Sequence, residues 1–231
     1  DGSSWSEEAD LNTARADLAN SGTTTAGLAI GGGPSTLVES WNGSTWTEVA
    51  DQTTSRSYVA RAGIQTATLS IGGYEGGPLA DVELYNGTSW TAVEDLNTAR
   101  NTAAGGGTST SAIIAGGNTP PISALTETYN GSTWTEVNAL NTARRWLGGD
   151  SVGGSTVALV FGGSPALAIT EKWDGTSWTE VADLATGRNG VGGAGTNSSG
   201  LAFGGGPPSS ASSATEEWND PVYAVKTVTT S

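Results

Sequence analysis

The chain has 231 residues, enough for a sizeable core, and a formal net charge of −14 from 23 acidic and nine basic residues, with no histidine. This balance argues against nucleic acid and anionic membranes as partners, because both are bound through basic patches. Without cysteine or histidine there are no disulfides and no zinc–thiolate or haem ligands, so no metal or cofactor is expected. No apolar run is long enough to insert into a membrane.

Five short apolar runs along the chain each end in a glycine doublet. After each doublet come a loop of variable length and a short strand that ends in an aromatic residue. These aromatic residues are separated by 44, 44, 44 and 45 positions and are Trp41, Tyr85, Tyr129, Trp173 and Trp218. A repeat of this length, containing about four strands, is typical of one blade of a β-propeller.

In the first four repeats the aromatic residue is followed by Asn-Gly or Asp-Gly and then by a second aromatic, at Trp46, Trp90, Trp134 and Trp178. Asn-Gly between two strands is typical of a type I′ turn, which requires positive φ at both central residues. The pattern therefore predicts a hairpin with a two-residue turn. The alternation of Trp-Thr-Glu-Val after the turn favours a half-buried outer strand.

The fifth aromatic residue, Trp218, is not followed by a second tryptophan, but residues 1–7 repeat the missing half-hairpin around Trp5. We therefore expect the N-terminal strand to complete the last blade, with residues 1–10 paired with residues 214–218. Such closure removes an exposed sheet edge. The predicted fold is all-β: a five-bladed β-propeller with four-stranded blades over residues 1–218, its ring closed by the N-terminal strand.

Residues 219–231 break the repeat but alternate apolar and polar side chains. This pattern favours a strand-like C-terminal tail that docks on the ring or on a neighbouring subunit, which would make the chain a homo-oligomer. The alternative is a frayed end.

The order of glycine doublet, aromatic residue, tryptophan and arginine resembles the kelch repeat over residues 1–218. The chain departs from the usual kelch pattern in its short aromatic-to-tryptophan spacing and in having fewer blades than most kelch rings. Its lysine-poor, Gly- and Thr-rich repeats are similar to kelch-like domains of phage and marine bacterial surface proteins. The resemblance implies a β-propeller at an extracellular or virion surface.

One arginine and one glutamate recur in every repeat. Because the same pair is copied into each blade, we interpret it as scaffold, forming Arg–Glu pairs or Arg–backbone contacts, rather than as an acid–base or Ca²⁺ site. The residues are Arg15, Arg56, Arg100, Arg144, Arg188, Glu39, Glu83, Glu127, Glu171 and Glu216.

Side chains that break the repeat are better candidates for recognition. Trp146 stands two residues after Arg144, where other repeats have Asp17, Tyr58, Thr102 or Gly190, and Arg145 and Arg61 are the arginines outside the repeat set. Exposed aromatic residues with arginine are typical anchors of interfaces. We therefore predict a binding patch of Trp146, Arg145, Tyr58 and Arg61. The alternative is that Trp146 plugs the channel or fills a blade interface.

These features favour a non-catalytic structural or interaction module that binds protein partners in a surface or virion-associated assembly. The second hypothesis is a glycan- or receptor-binding head that uses Trp146 and the loops after the glycine doublets, residues 33–37, 74–81, 118–124, 164–168 and 207–213. An enzyme is not expected. Asn42, Asn86, Asn130 and Asn197 lie in glycosylation sequons, although turn geometry explains the first three.

Overall fold

The computed structural model describes residues 6–33, 35–150, 154–206 and 210–220. These residues form five antiparallel sheets, each built from consecutive strands, which are the blades of a five-bladed β-propeller. The first four sheets have four strands, and three strands of the fifth are described. Within the described residues no helix is long and apolar enough to cross a membrane.

The strands follow the chain in blade order. The first blade contains β1 (Ala19–Thr23), β2 (Ala26–Ile30), β3 (Val38–Trp41) and β4 (Trp46–Glu48). The second contains β5 (Ala60–Ile64), β6 (Ala67–Ile71), β7 (Val82–Tyr85) and β8 (Trp90–Ala92). The third contains β9 (Ala104–Thr108), β10 (Ser111–Ala115), β11 (Thr126–Tyr129) and β12 (Trp134–Val137). The fourth contains β13 (Gly148–Asp150), a 3-10 turn (Gly154–Thr156), β14 (Ala158–Phe161), β15 (Thr170–Trp173) and β16 (Trp178–Glu180). The fifth contains β17 (Gly192–Thr196), β18 (Ser199–Phe203) and β19 (Thr215–Asn219).

The hairpin between the third and fourth strands differs from the prediction in the first four blades, where it is described. Trp41 pairs directly with Trp46, so the loop has four residues rather than two. Gly43 has a φ of +95°, whereas Asn42 is not left-handed, so the turn is not type I′. Instead, Oδ1 of Asn42 accepts hydrogen bonds from the backbone N–H groups of Ser44 and Thr45, at 3.0 and 2.9 Å. The asparagine side chain thus stabilises a wider loop.

Consecutive blades pack through two unlike faces. Leu28 and Ile30 of the first blade pack on Tyr85 and Trp90 of the second, whose ring centroids lie 5.0 Å apart. The next interfaces repeat this arrangement with Leu69 and Ile71 against Tyr129 and Trp134, and with Ile113 and Ala115 against Trp173 and Trp178. Aliphatic side chains on one blade therefore cover the aromatic pair of the next, and large aromatic rings are buried at each of these interfaces.

An arginine joins each blade to the connector that enters it. Nη1 of Arg100 donates to the carbonyl oxygens of Gly116 (3.2 Å) and Leu125 (2.7 Å), and Nη2 donates to Glu127 (2.7 Å). Glu127 also accepts the backbone N–H of Asn97. The structure contains the same pair in every blade: Arg15–Glu39, Arg56–Glu83, Arg100–Glu127, Arg144–Glu171 and Arg188–Glu216. These side chains hold the connectors on the blades.

The first strands of the blades lie side by side around the centre, with β1 next to β5, β5 next to β9, β9 next to β13, and β13 next to β17. Glycine permits the closest of these approaches. A Cβ on Gly193 would lie 2.6 Å from the carbonyl oxygen of Gly149, and one on Gly149 would lie 2.9 Å from the Cβ of Ala104. The glycine runs at residues 105–107, 148–149 and 192–193 therefore lie in inner strands.

The predicted completion of the fifth blade by the N-terminal strand falls on residues 1–5, which lie outside the described residues. Residues 6–10 form no strand, so a pairing that extends to residue 10 is too long. The reason is visible in the first, second and fourth blades, where the fourth strand ends two residues after its tryptophan. On the described part of this blade Leu201 and Phe203 are 42% and 43% exposed, whereas their equivalents Leu28 and Ile30 are buried.

The interface between the fourth and fifth blades contains a cavity of about 120 Å³, and its lining includes Leu159, Phe161, Ala182, Leu184 and Trp218. At the interface of the first two blades, Trp90 occupies the equivalent place and its Nε1 donates to the carbonyl oxygen of Ala50 at 2.9 Å. Ala182 is the repeat equivalent of Ala50. The cavity thus lies where the repeat places the second tryptophan of a blade, a position that the sequence pattern assigns to Trp5, outside the described residues.

The C-terminal tail begins at the end of the fifth blade. Asn219 is the last residue of β19, and Asp220 pairs with Lys172 on β15. The strand predicted for the rest of the tail, and any docking on a second subunit, fall on residues 221–231, outside the described residues.

Candidate functional site

The residue two positions after each repeat arginine has left-handed backbone geometry. The φ values lie between +52° and +61°, and the residues are Asp17, Tyr58, Thr102, Trp146 and Gly190. Glycine adopts this geometry without strain, whereas a bulky or β-branched side chain in it is unusual. We call these five residues the mouth.

A chain of backbone hydrogen bonds links the mouth residues in blade order. Tyr58 donates its N–H to the carbonyl oxygen of Asp17 (3.1 Å), and Thr102 donates to Tyr58 (3.2 Å). Trp146 donates to Thr102 and Gly190 to Trp146, both at 2.8 Å. Because each residue lies just before the first strand of its blade, the chain runs around one end of the central channel. The mouth is therefore held by main-chain atoms.

The loops after the glycine doublets meet the mouth at the same end of the ring. Arg145 forms an antiparallel bridge with Ser164, and Asn101 and Asn189 form equivalent bridges with Asn118 and Gly206. Each bridge joins the residue before a mouth position to the first residue after a doublet. The rigid backbone of the mouth and the variable loops therefore form one continuous surface, as expected for a recognition face.

Trp146 and Arg145 form the most distinctive group on this surface. The Trp146 side chain is 40% exposed, and Cζ of Arg145 lies 4.8 Å from the centroid of its ring. This is within the range of a cation–π contact. Among the described residues Arg145 has no carboxylate partner, and its Nε makes no hydrogen bond although it is buried. The predicted pairing of an aromatic residue with an arginine is present here.

Tyr58 lies on the same mouth, on the other side of Thr102 from Trp146, and is 38% exposed. Its hydroxyl group hydrogen-bonds with the Asp17 carboxylate. That bond, together with the charge of Asp17 and a smaller effect of burial, raises the pKa of Tyr58 above its ordinary value. The bond to Asp17 therefore favours the neutral form of the phenol, which is the hydrogen-bond donor.

Arg61 is not part of the mouth. It lies within β5, on the wall formed by the inner strands, and its Nε donates to Oδ1 of Asn20 in β1 at 2.9 Å. The structure thus brings Trp146, Arg145 and Tyr58 to one surface and places Arg61 beyond it. Asp17 and Thr102 belong to the surface but were not among the predicted residues, whereas Tyr74, which is 40% exposed and forms a bridge with Ser57, begins the predicted loop 74–81.

The other groups considered from the sequence have structural roles. The described part of the chain contains no cluster of three or more acidic side chains that could hold a metal ion. Asn42, Asn86 and Asn130 accept hydrogen bonds from the turns that they begin, and the carbonyl oxygen of Asn197 accepts the Nε1–H of Trp218. Recognition is therefore best sought at the mouth.

No known family matches the chain, and no curated protein is significantly similar to it. The fold and the mouth define the class: a five-bladed β-propeller, a fold commonly used as a scaffold for protein interactions.

Proposed function

We propose that this protein is a non-catalytic interaction module whose mouth and adjoining loops bind a protein partner. The observation that carries the proposal is the set of side chains kept at left-handed positions. Gly190 demonstrates that glycine is accepted in the mouth, yet Asp17, Tyr58, Thr102 and Trp146 occupy the equivalent places. Each costs about 1–2 kcal/mol relative to glycine. Side chains that carry such a cost are most simply explained by contacts with a binding partner.

The state of the repeated carboxylates supports a non-catalytic role. Each of the five glutamates contacts an arginine and accepts a backbone N–H of the preceding connector, as Glu171 does from Arg144 and Asn141. A carboxylate held in this way is not available to transfer protons to a substrate. The exposed groups of the mouth are instead aromatic and hydrogen-bonding side chains, which are typical of interfaces.

We place the module in a surface or virion-associated assembly, in an extracellular setting. The acidic, cysteine-free composition and the resemblance to kelch-like repeats of phage and marine bacterial surface proteins support this placement. The blades are stabilised by packing and buried ion pairs rather than by cross-links.

A second candidate function is a glycan- or receptor-binding head. The exposed Trp146 ring borders an open depression that also contains Arg145, Ser164 and Asn189. An aromatic platform with amide and hydroxyl groups beside it is a common arrangement in small-ligand sites.

A displayed random peptide library provides a test that requires no known partner, because such libraries select the anchoring pockets of a surface. Binders selected against the wild-type ring should lose binding to the Tyr58→Gly/Trp146→Gly variant. They should keep binding to Ile64→Ser, a matched control that alters an apolar residue, 60% exposed, at the far end of β5. Binders that treat the wild type and the mouth variant alike would overturn the proposal.

A further inference from the structure

The depression beside Trp146 is open and polar. It has a volume of about 740 Å³ and is lined by Arg145, Trp146, Ser164, Asn189, Gly205, Gly206, Ser210 and Ala211. Arg145 is the one ionisable side chain in this lining. The depression therefore carries a single positive charge on an otherwise acidic molecule.

The backbone fixes both residues at the edge of the depression. Trp146 donates its N–H to Thr102 and accepts one from Gly190, and the carbonyl oxygen of Arg145 accepts the N–H of Ser164 at 2.7 Å. The guanidinium packs against the Trp146 ring, which limits its orientations. A ligand would meet a preorganised aromatic face and cation, so little ordering is required on binding.

The chemistry of the lining indicates what it would recognise. A guanidinium without a carboxylate partner forms strong, bidentate hydrogen bonds to a carboxylate. The amide of Asn189 and the hydroxyl groups of Ser164 and Ser210 can donate to and accept from hydroxyl groups. The exposed part of the Trp146 ring, one face of which is covered by the Arg145 guanidinium, offers an apolar surface next to them. A sugar ring with one carboxylate presents all three features together.

We propose that the depression beside Trp146 binds an acidic saccharide, with the sugar ring stacked on Trp146 and its carboxylate bound by Arg145. This inference rests on the second candidate function, a glycan-binding head at the mouth, and assigns it a ligand class. One guanidinium balances one carboxylate, whereas a polyanion such as nucleic acid would be repelled by a chain of net charge −14.

A peptide that ends in a free carboxylate is the competing occupant. Its side chains would need an enclosed apolar pocket for anchoring. Apart from Trp146, the described apolar lining of the depression consists of Gly205, Gly206 and Ala211, which form no such pocket. The hydroxyl-rich lining therefore favours the saccharide.

The experiment compares an oligosaccharide that contains glucuronic acid with the matched one that contains glucose. Binding is followed by the indole N–H resonances in NMR and by calorimetry. Two variants use residues that the chain itself has at equivalent positions: Arg145→Asn, as in Asn101 and Asn189, and Trp146→Gly, as in Gly190. Both variants should fold, and Ile64→Ser is the control.

The acidic saccharide should bind the wild type at least about tenfold more tightly than the neutral one, because a hydrogen-bonded charge pair is lost in the latter. Arg145→Asn should remove this preference, Trp146→Gly should abolish binding of both, and Ile64→Ser should change neither. Equal binding of the two saccharides, or unchanged preference in Arg145→Asn, would overturn the inference.

Failure of this inference can be separated from failure of the proposed function. Terminal-carboxylate peptides that bind through Arg145 and Trp146, with no saccharide bound, would overturn the saccharide assignment and leave the interaction module standing. Absence of saccharide binding together with library peptides that ignore the mouth variants would overturn both.

Discussion

The guanidinium of Arg100 lies 2.7 Å from the carboxylate of Glu127, and neither side chain is accessible to solvent. Burial lowers the pKa of Arg100, and the charge and hydrogen bond of Glu127 counteract this effect. The pair holds the connector of the third blade to its sheet. Because both side chains are buried, each charge is stabilised by the other.

Replacing Glu127 by glutamine should destabilise the protein by about 3–5 kcal/mol, because Arg100 would remain charged, buried and unpaired. Denaturant unfolding followed by circular dichroism measures the loss. The matched control is Glu216→Gln in the fifth blade, where the carboxylate side chain is 26% exposed, and the loss should be clearly smaller. Equal losses at the two positions would contradict a role for burial.

Acid should loosen the connector that enters the first blade. Burial raises the pKa of Glu39, but hydrogen bonds from Asn12, Thr13 and Arg15 outweigh it, so the pKa is lowered from 4.5. A lowered pKa means that the stabilisation is complete above pH 4.5 and is lost as the pH falls through the lower, folded-state value.

Hydrogen exchange at the amide groups of Asn12 and Thr13, corrected for intrinsic rates, should therefore lose protection in the acid range below pH 4.5. In Glu39→Gln the protection should be weaker at neutral pH and should change little with acid. Protection in the wild type that does not respond to acid would be inconsistent with this assignment.

Trp146→Gly should leave the stability of the ring unchanged or raise it by up to about 1 kcal/mol while it removes ligand binding. The reason is that glycine adopts a φ of +52° without strain, which offsets the lost contact with Arg145.

Gly190→Ala is the converse variant. A Cβ there meets open space, so its expected loss of about 1 kcal/mol reports backbone strain alone. Thermal unfolding of both variants tests the pair, and a strongly destabilised Trp146→Gly would identify Trp146 as a structural plug.

We predict that Trp5 fills the cavity between the fourth and fifth blades and completes the last sheet. Trp5→Ala should then lower hydrogen-exchange protection in β17, β18 and β19 far more than in the second blade. Trp90→Ala provides the matched comparison, since it removes the equivalent side chain from the second blade. Unchanged protection of the fifth blade in Trp5→Ala would show that the ring is completed in another way.

The blades could be predicted because the Arg–Glu pair recurs in all five at a nearly constant spacing, and the first four also carry their own turn residues and aromatic pair. The predicted turn type was wrong because it was based on the backbone preference of Asn-Gly alone. In the structure Oδ1 of Asn42 accepts hydrogen bonds from two N–H groups of a wider loop. Local propensity does not include such side-chain capping.

The candidate site could be predicted in part. Trp146 and Tyr58 could be singled out because they break the repeat. The left-handed backbone of the mouth could not be inferred from the sequence, because Gly190 is the one glycine among its five residues. Arg61 was grouped with Tyr58 because it is three residues away in the sequence. Those three residues lead from the mouth into β5, which carries Arg61 onto the channel wall.

The chain of hydrogen bonds through Asp17, Tyr58, Thr102, Trp146 and Gly190 uses main-chain atoms alone. Side-chain identity at these positions is therefore uncoupled from the bonds that keep them in place. Evolution, or an engineer, can vary the exposed residues one blade at a time without redesigning the support beneath them. The mouth is thus a main-chain scaffold on which single substitutions can change the binding specificity.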